Sequence, residues 1–340
     1  MALKSPREIP QGAIRLNTDS QKLEFFAQDQ WWEMATEVAA PIGGRYLIGG
    51  GEAYTPSGAD TNIISYLNTS TSGNMVDFGD ITRAQRHACA LANNTRGIWA
   101  GGYKTSNSGS NVIDFVTIAT AGNAADFGDI IQGAAQAWSL GSCASQTRGI
   151  FAGSVGETNI IQYVTMTSTG NATDFGDALA VARDLIGLSS PTRGVFTGGS
   201  PANNDVIQYI TIASEGNSVD FGNLTTNMGG GHYNKSTGSN GVIGLFGPGA
   251  GINIEKITIA TTGNAQEFGS SDVYTTNYAS RSGTSDKIKM FIGPGQNNGG
   301  SVVSTIETVV IATGGNAVDF GDAIYATKVA GSCCNAHGGL

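Results

Sequence analysis

The sequence predicts an all-β protein, namely a six-bladed β-propeller with four strands in each blade and a short β-hairpin module before it. Three observations support this prediction. A repeat of nearly fifty residues occurs six times, each copy divides into four strand-like pieces, and none of the pieces has a helical pattern. Four short strands at this period are typical of a propeller blade, whose radial arrangement leaves only short sheet edges.

A phenylalanine in the pattern Asp-Phe-Gly-Asp, or a close variant of it, marks each repeat. Its six copies lie 49, 48, 46, 47 and 52 residues apart, at Phe78, Phe127, Phe175, Phe221, Phe268 and Phe320. Four residues before each phenylalanine stands an asparagine that follows a glycine. Six copies in one register do not arise by chance, so the chain is built from repeats.

The four pieces of each repeat, a to d, have different patterns. Piece b is an apolar run that leads into glycines, as in residues 95–102, and piece c is rich in β-branched residues, as in residues 112–118. Because piece c is apolar on both alternating faces, we expect it to lie between two sheets. A Gly-Asn turn leads to piece d, which carries the phenylalanine, and the less regular piece a follows, as in residues 181–189.

The two ends of the repeat region are complementary. The first repeat opens directly on piece b at residues 45–50, and the sequence finishes on an unmatched piece a at residues 326–333. The count is therefore six of each piece. We predict that residues 326–335 complete the blade that starts at Arg45, which closes the ring and removes an unpaired sheet edge.

Composition excludes several classes of function. Only 13% of the residues are charged and the net charge is −9, so the chain offers no basic surface for a nucleic acid or an anionic membrane. No apolar run has the length of a membrane span, and the first residues do not form a secretory signal, so we expect synthesis in a cytoplasm without membrane insertion. The four cysteines are too irregular for a disulfide framework and are expected to be buried thiols.

The sequence predicts no catalytic residue, no cofactor and no metal site. The recurring Asp-Phe-Gly lacks the other kinase motifs, so its phenylalanine is expected to pack between sheets while the acids cap a turn. Paired carboxylates such as Asp77 and Asp80 leave calcium as a minor alternative, but Asn223 and Ser270 interrupt the pattern and calcium needs six or more oxygen ligands. A propeller glycosidase would need convergent carboxylates and is the least favoured alternative.

Two further groups of residues could be taken for binding sites. Arg96, Arg148 and Arg193 recur before piece b, and we predict that they pair with acids in the turn of the neighbouring blade rather than bind an anion. Cys333, Cys334 and His337 could suggest a soft-metal site, but no fourth ligand is apparent. Both groups are therefore expected to be structural.

Residues 41–340 resemble the repeats of kelch-like propellers. The resemblance is carried by three diglycines, the first at Gly49-Gly50, and by an aromatic residue in piece c, at Tyr66, Phe115, Tyr163 and Tyr209. Two departures are evident. Phenylalanine replaces the tryptophan of kelch strand d in all six copies, and repeats five and six carry Lys256 and Thr308 in place of the strand-c aromatic. The resemblance implies the architecture and no kelch partner.

Residues 1–40 form a separate N-terminal module. Residues 12–26 have the pattern of two short strands around a polar turn, followed by a second turn at residues 27–30. A piece this small cannot bury its own apolar side chains, so we expect it to dock on the propeller, on copies of itself or on another protein. The residues predicted to do so are Ile14, Leu16, Leu23, Phe25, Trp31 and Trp32.

The N-terminal pattern Gly-x-Ile-Arg-x-Asn-Thr-Asp, followed by Leu-Glu and Trp, is similar to a short module of tail-fibre and other virion proteins of tailed bacteriophages. The Gly-Asn-Ala-x-Asp-Phe-Gly-Asp repeats resemble structural proteins of marine and cyanobacterial phages. The resemblance implies a virion protein, either a tail fibre or a tail-associated receptor-binding component, with other virion proteins as partners. A capsid or tail decoration protein without a receptor is the alternative.

The loops between pieces b and c differ most among the repeats, and variable loops on a rigid scaffold are where recognition is usually placed. Their polar and aromatic residues suit a glycan or a protein on a host surface. They suit solvated turns equally well. The predicted binding residues are Tyr103, Lys104, Asn107, Asn159, Asn203, Asn204, Asn297 and Asn298.

Overall fold

The computed structural model describes residues 9–17, 22–33, 44–54, 58–104, 108–133, 135, 137–156, 158–200, 205–226, 234–248, 253–273, 280–297 and 300–340. These residues form strands and turns without an α-helix, and all their sheet pairings except one are antiparallel, which confirms the all-β prediction. The chain divides into two compact units, Met1–Ile42 and Gly43–Leu340.

The first unit contains a three-stranded antiparallel sheet. Its strands, in spatial order, are β1 (Ile14–Asn17), β2 (Lys22–Ala27) and β3 (Gln30–Glu33). A turn at Gln28 and Asp29, both with positive φ, joins β2 to β3. Because side chains alternate between the two faces of a strand, the register of this sheet decides which residues share a face.

The strands of the second unit follow the predicted pieces. The first two repeats contain β4 (Arg45–Gly49), β5 (Glu52–Ala53), β6 (Ala59–Asp60), β7 (Ile63–Asn68), β8 (Val76–Asp80), β9 (Cys89–Ala92), β10 (Arg96–Ala100), β11 (Tyr103–Lys104), β12 (Ser108–Gly109), β13 (Val112–Thr117) and β14 (Ala125–Asp129). The next two contain β15 (Gly141–Ala144), β16 (Arg148–Ala152), β17 (Thr158–Thr165), β18 (Thr173–Ser189), β19 (Arg193–Ser200), β20 (Val206–Thr211) and β21 (Val219–Asn223).

The last two repeats contain β22 (Asn234–Lys235), β23 (Thr237–Ser239), β24 (Ile243–Phe246), β25 (Asn253–Thr258), β26 (Gln266–Ser270), β27 (Arg281–Ser285), β28 (Lys289–Ile292), β29 (Gly295–Gln296), β30 (Val302–Val303), β31 (Thr305–Val310), β32 (Val318–Asp322), β33 (Thr327–Lys328) and β34 (Gly331–Cys334). The single parallel pairing joins β22 to β27.

Six four-stranded sheets, each in the order a, b, c, d, account for most of these strands. We number them I (β34, β4, β7, β8), II (β9, β10, β13, β14), III (β15, β16, β17, β18), IV (β18, β19, β20, β21), V (β23 to β26) and VI (β27, β28, β31, β32). Strand β18 is shared, because its first half pairs with β17 and its second half with β19. Short hairpins, such as β11 with β12, extend the connections between strands b and c.

The core lies between consecutive sheets, as the two-faced apolar pattern of strand c predicts. Phe78 of sheet I belongs to the same buried cluster as Trp99 and Val116 of sheet II. The repeated phenylalanine of strand d also packs edge-on against the aromatic residue of strand c, with 5.5 Å between the ring centroids of Tyr66 and Phe78. The prediction that this phenylalanine is a core residue is confirmed for five of the six copies, whereas Phe268 is partly buried.

The Gly-Asn turn connects each sheet to the one before it. The Gly122 N–H donates to the Phe78 carbonyl (2.7 Å), and the Asn123 Oδ1 accepts from the Asp80 N–H (3.1 Å). A Cβ atom at Gly79 would overlap the Gly122 carbonyl, so the glycine of Asp-Phe-Gly is required by this close approach. Equivalent asparagine bonds join sheets II to III, III to IV and IV to V.

The same connection joins the last sheet to the first. The Asp322 N–H donates to Asn74 Oδ1 (3.1 Å), and the Gly73 N–H donates to the Phe320 carbonyl (3.2 Å). Strand β34 pairs with β4 from Gly331 opposite Gly49 to Cys334 opposite Tyr46. The predicted pairing of residues 326–335 with the strand that starts at Arg45 is therefore present.

Candidate functional site

The six a strands surround a narrow cavity of about 80 Å³. One ring of equivalent positions along it consists of small residues, namely Ala90, Ser142, Gly187, Thr237, Gly283 and Ser332. In this ring the Ser142 Oγ donates to the Ala90 carbonyl (2.8 Å). The hydroxyls of Thr237 and Ser332 donate in the same way to the carbonyls of Gly187 and Gly283, respectively. These hydroxyls join neighbouring a strands, which explains why piece a is rich in small polar residues.

The cavity is too small for a substrate. Pockets for small molecules usually measure roughly 300–1,000 Å³, whereas a few water molecules would fill this one. Among the described residues, its lining contains neither aspartate nor glutamate. The described part of this lining therefore does not hold the paired carboxylates that would flank a scissile glycosidic bond.

A belt of main-chain hydrogen bonds runs along one end of the cavity, over five of the six sheets. The Val329 N–H donates to the Ser280 carbonyl, and the His87 N–H donates to the Val329 carbonyl. The Ser139 N–H donates to the His87 carbonyl and the Asp184 N–H to the Ser139 carbonyl, and all four distances lie between 2.9 and 3.1 Å. Asp184 lies in β18 and the other four residues come just before strand a of four other sheets; all five have a positive φ, between 37° and 62°. Non-glycine residues rarely adopt this conformation, so the belt requires a specific backbone geometry at this end.

Residues 335–340 cover the other end. The His337 Nε2 donates to the Ala92 carbonyl (2.7 Å) and its Nδ1 accepts from the Gly339 N–H (3.0 Å), so the ring is neutral. Burial lowers the pKa of His337 to about 4. A Cβ atom at Gly338 or Gly339 would overlap backbone atoms of sheets V or III, which shows how closely this segment fits.

A cluster of aromatic and charged side chains lies where the b–c connection of sheet II meets the segments before strands a of sheets II and III. We call it the rim cluster: Tyr103, Trp138, His87 and Arg86. The Tyr103 ring lies 4.8 Å from that of Trp138, and the His87 ring lies 5.3 Å from Trp138. Arg86 lies over Tyr103 (5.5 Å) and forms an ion pair with Glu52 (2.6 Å). Lys104 is exposed beside Tyr103.

Sequence reasoning identified Tyr103 and Lys104 but missed the other members of the rim cluster. Trp138, His87 and Arg86 precede strands a, not strand c. Trp138 meets Tyr103 through the contact between sheets II and III, whereas Arg86 lies opposite Tyr103 in an antiparallel backbone bridge within sheet II. The sequence offered one signal, at Trp138, because no other repeat has a tryptophan at the equivalent position.

The remaining predicted loop residues have other positions. Asn159 is partly buried within β17. Asn297 Oδ1 accepts from the Ser301 N–H (3.0 Å), so this side chain stabilises a turn. Asn107, Asn203, Asn204 and Asn298 lie outside the described residues.

The arginines at the start of strand b correct one prediction. Each donates to a main-chain carbonyl at the end of strand c in the next sheet: Arg96 to Met166 (3.0 Å), Arg148 to Ile212 (3.0 Å) and Arg193 to Ile259 (2.9 Å). Each guanidinium also lies over the aromatic residue of its own strand c, at 4.3 to 4.8 Å. The expected pairing with acids was wrong as a general rule, since a carbonyl is the common partner and, among the described residues, only Arg148 of the three also approaches an acid, Glu215 (3.6 Å).

A second set of structural residues carried no recognisable motif. Five buried acceptors on strand c bind the segment that follows strand d of the preceding sheet: Asp114, Gln162, Gln208, Glu255 and Glu307. Burial raises the pKa of Asp114 and of Glu307. These acids hold neighbouring sheets together and are not aimed at the cavity.

Among the described residues, no group of three or more histidine, cysteine, aspartate or glutamate side chains is arranged to hold a metal ion. That part of the chain also lacks a helix long and apolar enough to cross a membrane. No protein-family model matches the chain, and a search of curated proteins finds no similar sequence.

Proposed function

We propose that the second unit is a six-bladed β-propeller whose blades are sheets I to VI. Hydrogen bonds between strand d and the following Gly-Asn turn support this architecture at five boundaries, including the one from sheet VI to sheet I. At the remaining boundary the Ala317 N–H donates to the Ser270 carbonyl (2.8 Å). A cyclic set of contacts between six similar sheets, with strand β34 completing sheet I, is expected of a closed propeller.

The propeller serves, in this proposal, as a non-enzymatic surface protein of a tailed bacteriophage, either a tail fibre or a tail-associated receptor-binding component. The observation that supports a scaffold role most directly is the use of the recurring polar residues. The arginines, the turn asparagines and the buried strand-c acceptors all bind neighbouring sheets. The phage assignment rests on the resemblance of the N-terminal pattern and the repeat motifs to phage virion proteins.

Recognition is assigned to the rim cluster and the adjoining Lys104. Aromatic rings beside charged groups offer stacking faces and hydrogen bonds to a host glycan or protein. The N-terminal unit joins the chain to the particle. A decoration protein without a receptor remains the second candidate, since a rigid ring with solvated loops serves that role equally well.

Two experiments test this proposal. Antibody labelling of intact particles should place the chain on the tail, whereas labelling of the head would support the decoration protein and absence from the particle would refute both. The purified chain should also compete with phage for adsorption to host cells. The double variant Tyr103→Ala with Lys104→Glu should lose competition, while Lys287→Glu, an exposed charge change on an a–b turn, should retain it.

A further inference from the structure

Side-chain hydrogen bonds join neighbouring a strands all around the cavity. At five of the six boundaries a serine or threonine hydroxyl donates to a main-chain carbonyl of the neighbouring strand. At the boundary between sheets I and II, Ala92 stands at the position that Ser189 and Ser285 occupy in sheets IV and VI. The Ala92 carbonyl accepts instead from His337 Nε2 (2.7 Å). One boundary therefore has an imidazole where the others have a hydroxyl.

This histidine belongs to a short segment that covers one end of the cavity. We call residues 336–340, which follow β34, the lid. Gly338 lies close to Ser239 of sheet V and Gly339 lies close to Ala144 of sheet III, so the lid extends from sheet I across the end of the cavity. The belt at the other end joins the sheets themselves, whereas the lid is attached covalently to β34 alone.

One hydrogen bond fastens the lid to another sheet. In the described part of the chain, the bond from His337 Nε2 to the Ala92 carbonyl is the only hydrogen bond between the lid and sheets II to VI. Two other bonds are internal to the lid. The Gly339 N–H donates to His337 Nδ1 (3.0 Å) and the Leu340 N–H donates to the His337 carbonyl (3.2 Å). His337 therefore both fastens the lid and holds its shape.

We propose that residues 336–340 form a hinged lid that His337 latches, and that acid opens this lid while the six sheets stay folded. In the closed state Nε2 donates and Nδ1 accepts, so the imidazole is neutral. Protonation places a second N–H at Nδ1, opposite the Gly339 N–H, and two donors cannot bond to each other. The proton therefore breaks the turn that folds Gly338 and Gly339 over the cavity.

The groups around His337 favour opening in acid. Burial lowers the pKa of His337 to about 4, and the charge of Lys287 acts in the same direction. Asp286, in the same a–b turn of sheet VI, is held by two main-chain N–H groups of that turn. Burial raises the pKa of Cys333 and of Cys334, so both thiols of β34 are uncharged. The residues near the lid in sheets II to V are also uncharged: Ala92, Ala144, Ser189 and Ser239.

Two adjacent cysteines distinguish lid opening from unfolding. Cys334 lines the cavity, and the Ala336 N–H of the lid is directed at its sulfur. Cys333 lies on the other face of β34, in the apolar cluster between sheets I and II. Both are buried in the closed protein. Opening the lid should expose Cys334 alone, whereas detachment of β34 would expose both.

Thiol labelling of the full chain at controlled pH tests the lid. 4,4′-Dithiodipyridine forms a mixed disulfide with an accessible thiol and releases thiopyridone, also in acid, and peptide mass mapping identifies the labelled cysteine. The labelling rate of Cys334, relative to a free thiol at the same pH, should rise about 20-fold from pH 7 to pH 5. This factor follows from a pKa of about 4 with the lid closed and 6.5 for a solvated histidine. Cys333 should stay unlabelled.

Three variants sharpen the test. His337→Ala removes the latch, so Cys334 should be labelled rapidly at neutral pH. In His337→Gln the labelling rate of Cys334 should not depend on acid, because no titrating group remains in the latch. His87→Gln is the matched control, since His87 belongs to the belt at the other end of the cavity, and it should keep the acid dependence of the wild type.

Three outcomes would overturn the proposal. They are a Cys334 labelling rate that does not rise in acid, labelling of Cys333 together with Cys334, and an equal acid dependence in His337→Gln. The inference does not depend on the proposed function, and none of these outcomes decides whether the chain belongs to a phage particle, which antibody labelling of particles tests separately.

Discussion

Sheets I and II have the same four strands but differ in continuity. In sheet II, a covalent turn joins strand a to strand b, and Asn93 Oδ1 accepts from the Arg96 N–H (2.8 Å) three residues later. In sheet I, strand a comes from the other end of the sequence, and Asn335 Oδ1 accepts from the Arg45 N–H (2.8 Å) across 290 residues. The same turn cap is thus built with and without a covalent link.

This comparison shows that local geometry does not require chain connectivity. Closing a long loop costs only slightly more entropy than closing a short one, because the cost grows with the logarithm of loop length. The closure also has specific supports. Strand β34 makes a full ladder with β4, and the Trp99 indole N–H of sheet II donates to the Gly331 carbonyl (3.1 Å). Sheet I is nevertheless the sheet in which strands a and b are not joined by a covalent turn, so these two strands can separate there.

The largest expected effect follows removal of the closing strand. A chain that ends at Tyr325 lacks β33 and β34, leaves β4 without its inner neighbour and exposes Tyr46 and Leu47, which are fully buried in the intact protein. We expect it to aggregate or to unfold without a cooperative transition. A chain that ends at Ala336 keeps β34 and should unfold cooperatively at a lower temperature. Equal behaviour of the two chains, measured by calorimetry, would contradict the role of β34.

A smaller effect is expected at the boundary between sheets V and VI. Glu307 accepts from the Ser271 hydroxyl (2.5 Å) and from two backbone N–H groups. Glu307→Ala should lower the free energy of unfolding by about 3 kcal/mol, because buried donors lose their acceptor. Glu307→Gln should be tolerated, since glutamine serves at the equivalent positions of sheets III and IV and burial already raises the pKa of Glu307. Urea unfolding of both variants tests this, and equal losses would contradict it.

Acid should weaken the closure through His337. Its pKa is about 4 in the folded protein and 6.5 for a free histidine, so the unfolded chain binds the proton more readily. The stability that neutral His337 supports is complete above pH 6.5 and is lost as the pH falls toward 4, by roughly 1–3 kcal/mol. His337→Gln removes this titration. The difference between the urea unfolding midpoints at pH 4 and at pH 6.5 should therefore be smaller in the variant than in the wild type. The same pH dependence in both would refute the assignment.

The smallest effect separates two equivalent asparagines. Asn74→Ala and Asn123→Ala each remove one hydrogen bond to strand d, at the closing boundary and at an internal boundary respectively. Each should cost about 1 kcal/mol of global stability. Only Asn74→Ala should speed amide exchange in both β8 and β32, because these strands lie at the boundary that can open without breaking a covalent turn. Identical exchange patterns would mean that closure is as firm as the internal boundaries.

Much of the fold could be predicted from the residues themselves. The Gly-Asn turn, the phenylalanine of strand d and the count of strand types predicted four-stranded units, a buried aromatic and the pairing of the last strand with β4. The rim cluster could be predicted only in part. Tyr103 belongs to a variable loop, but Trp138 and Arg86 belong to other segments that reach it through packing.

The partners of polar side chains could not be predicted, for a physical reason. The arginines were expected to bind acids, yet they bind carbonyl oxygens. Every residue carries such an acceptor, so the sequence does not mark which carbonyl is used. The buried acceptors of strand c differ in type, with Asp114, Gln162 and Glu255 at equivalent positions. Their shared role appears only when each is seen beside the preceding sheet.

The sequence by itself determined the repeat, the strand types and the all-β character, because these depend on alternation and spacing within about fifty residues. It also determined that the N-terminal sheet would carry more apolar side chains than it can bury. The tertiary structure decided which apolar residues share a face, with Trp31 separated from Trp32, and which backbone groups the repeated polar residues bind. Those choices depend on register and on contacts between sheets, where the interacting groups lie 29 or more residues apart in the sequence.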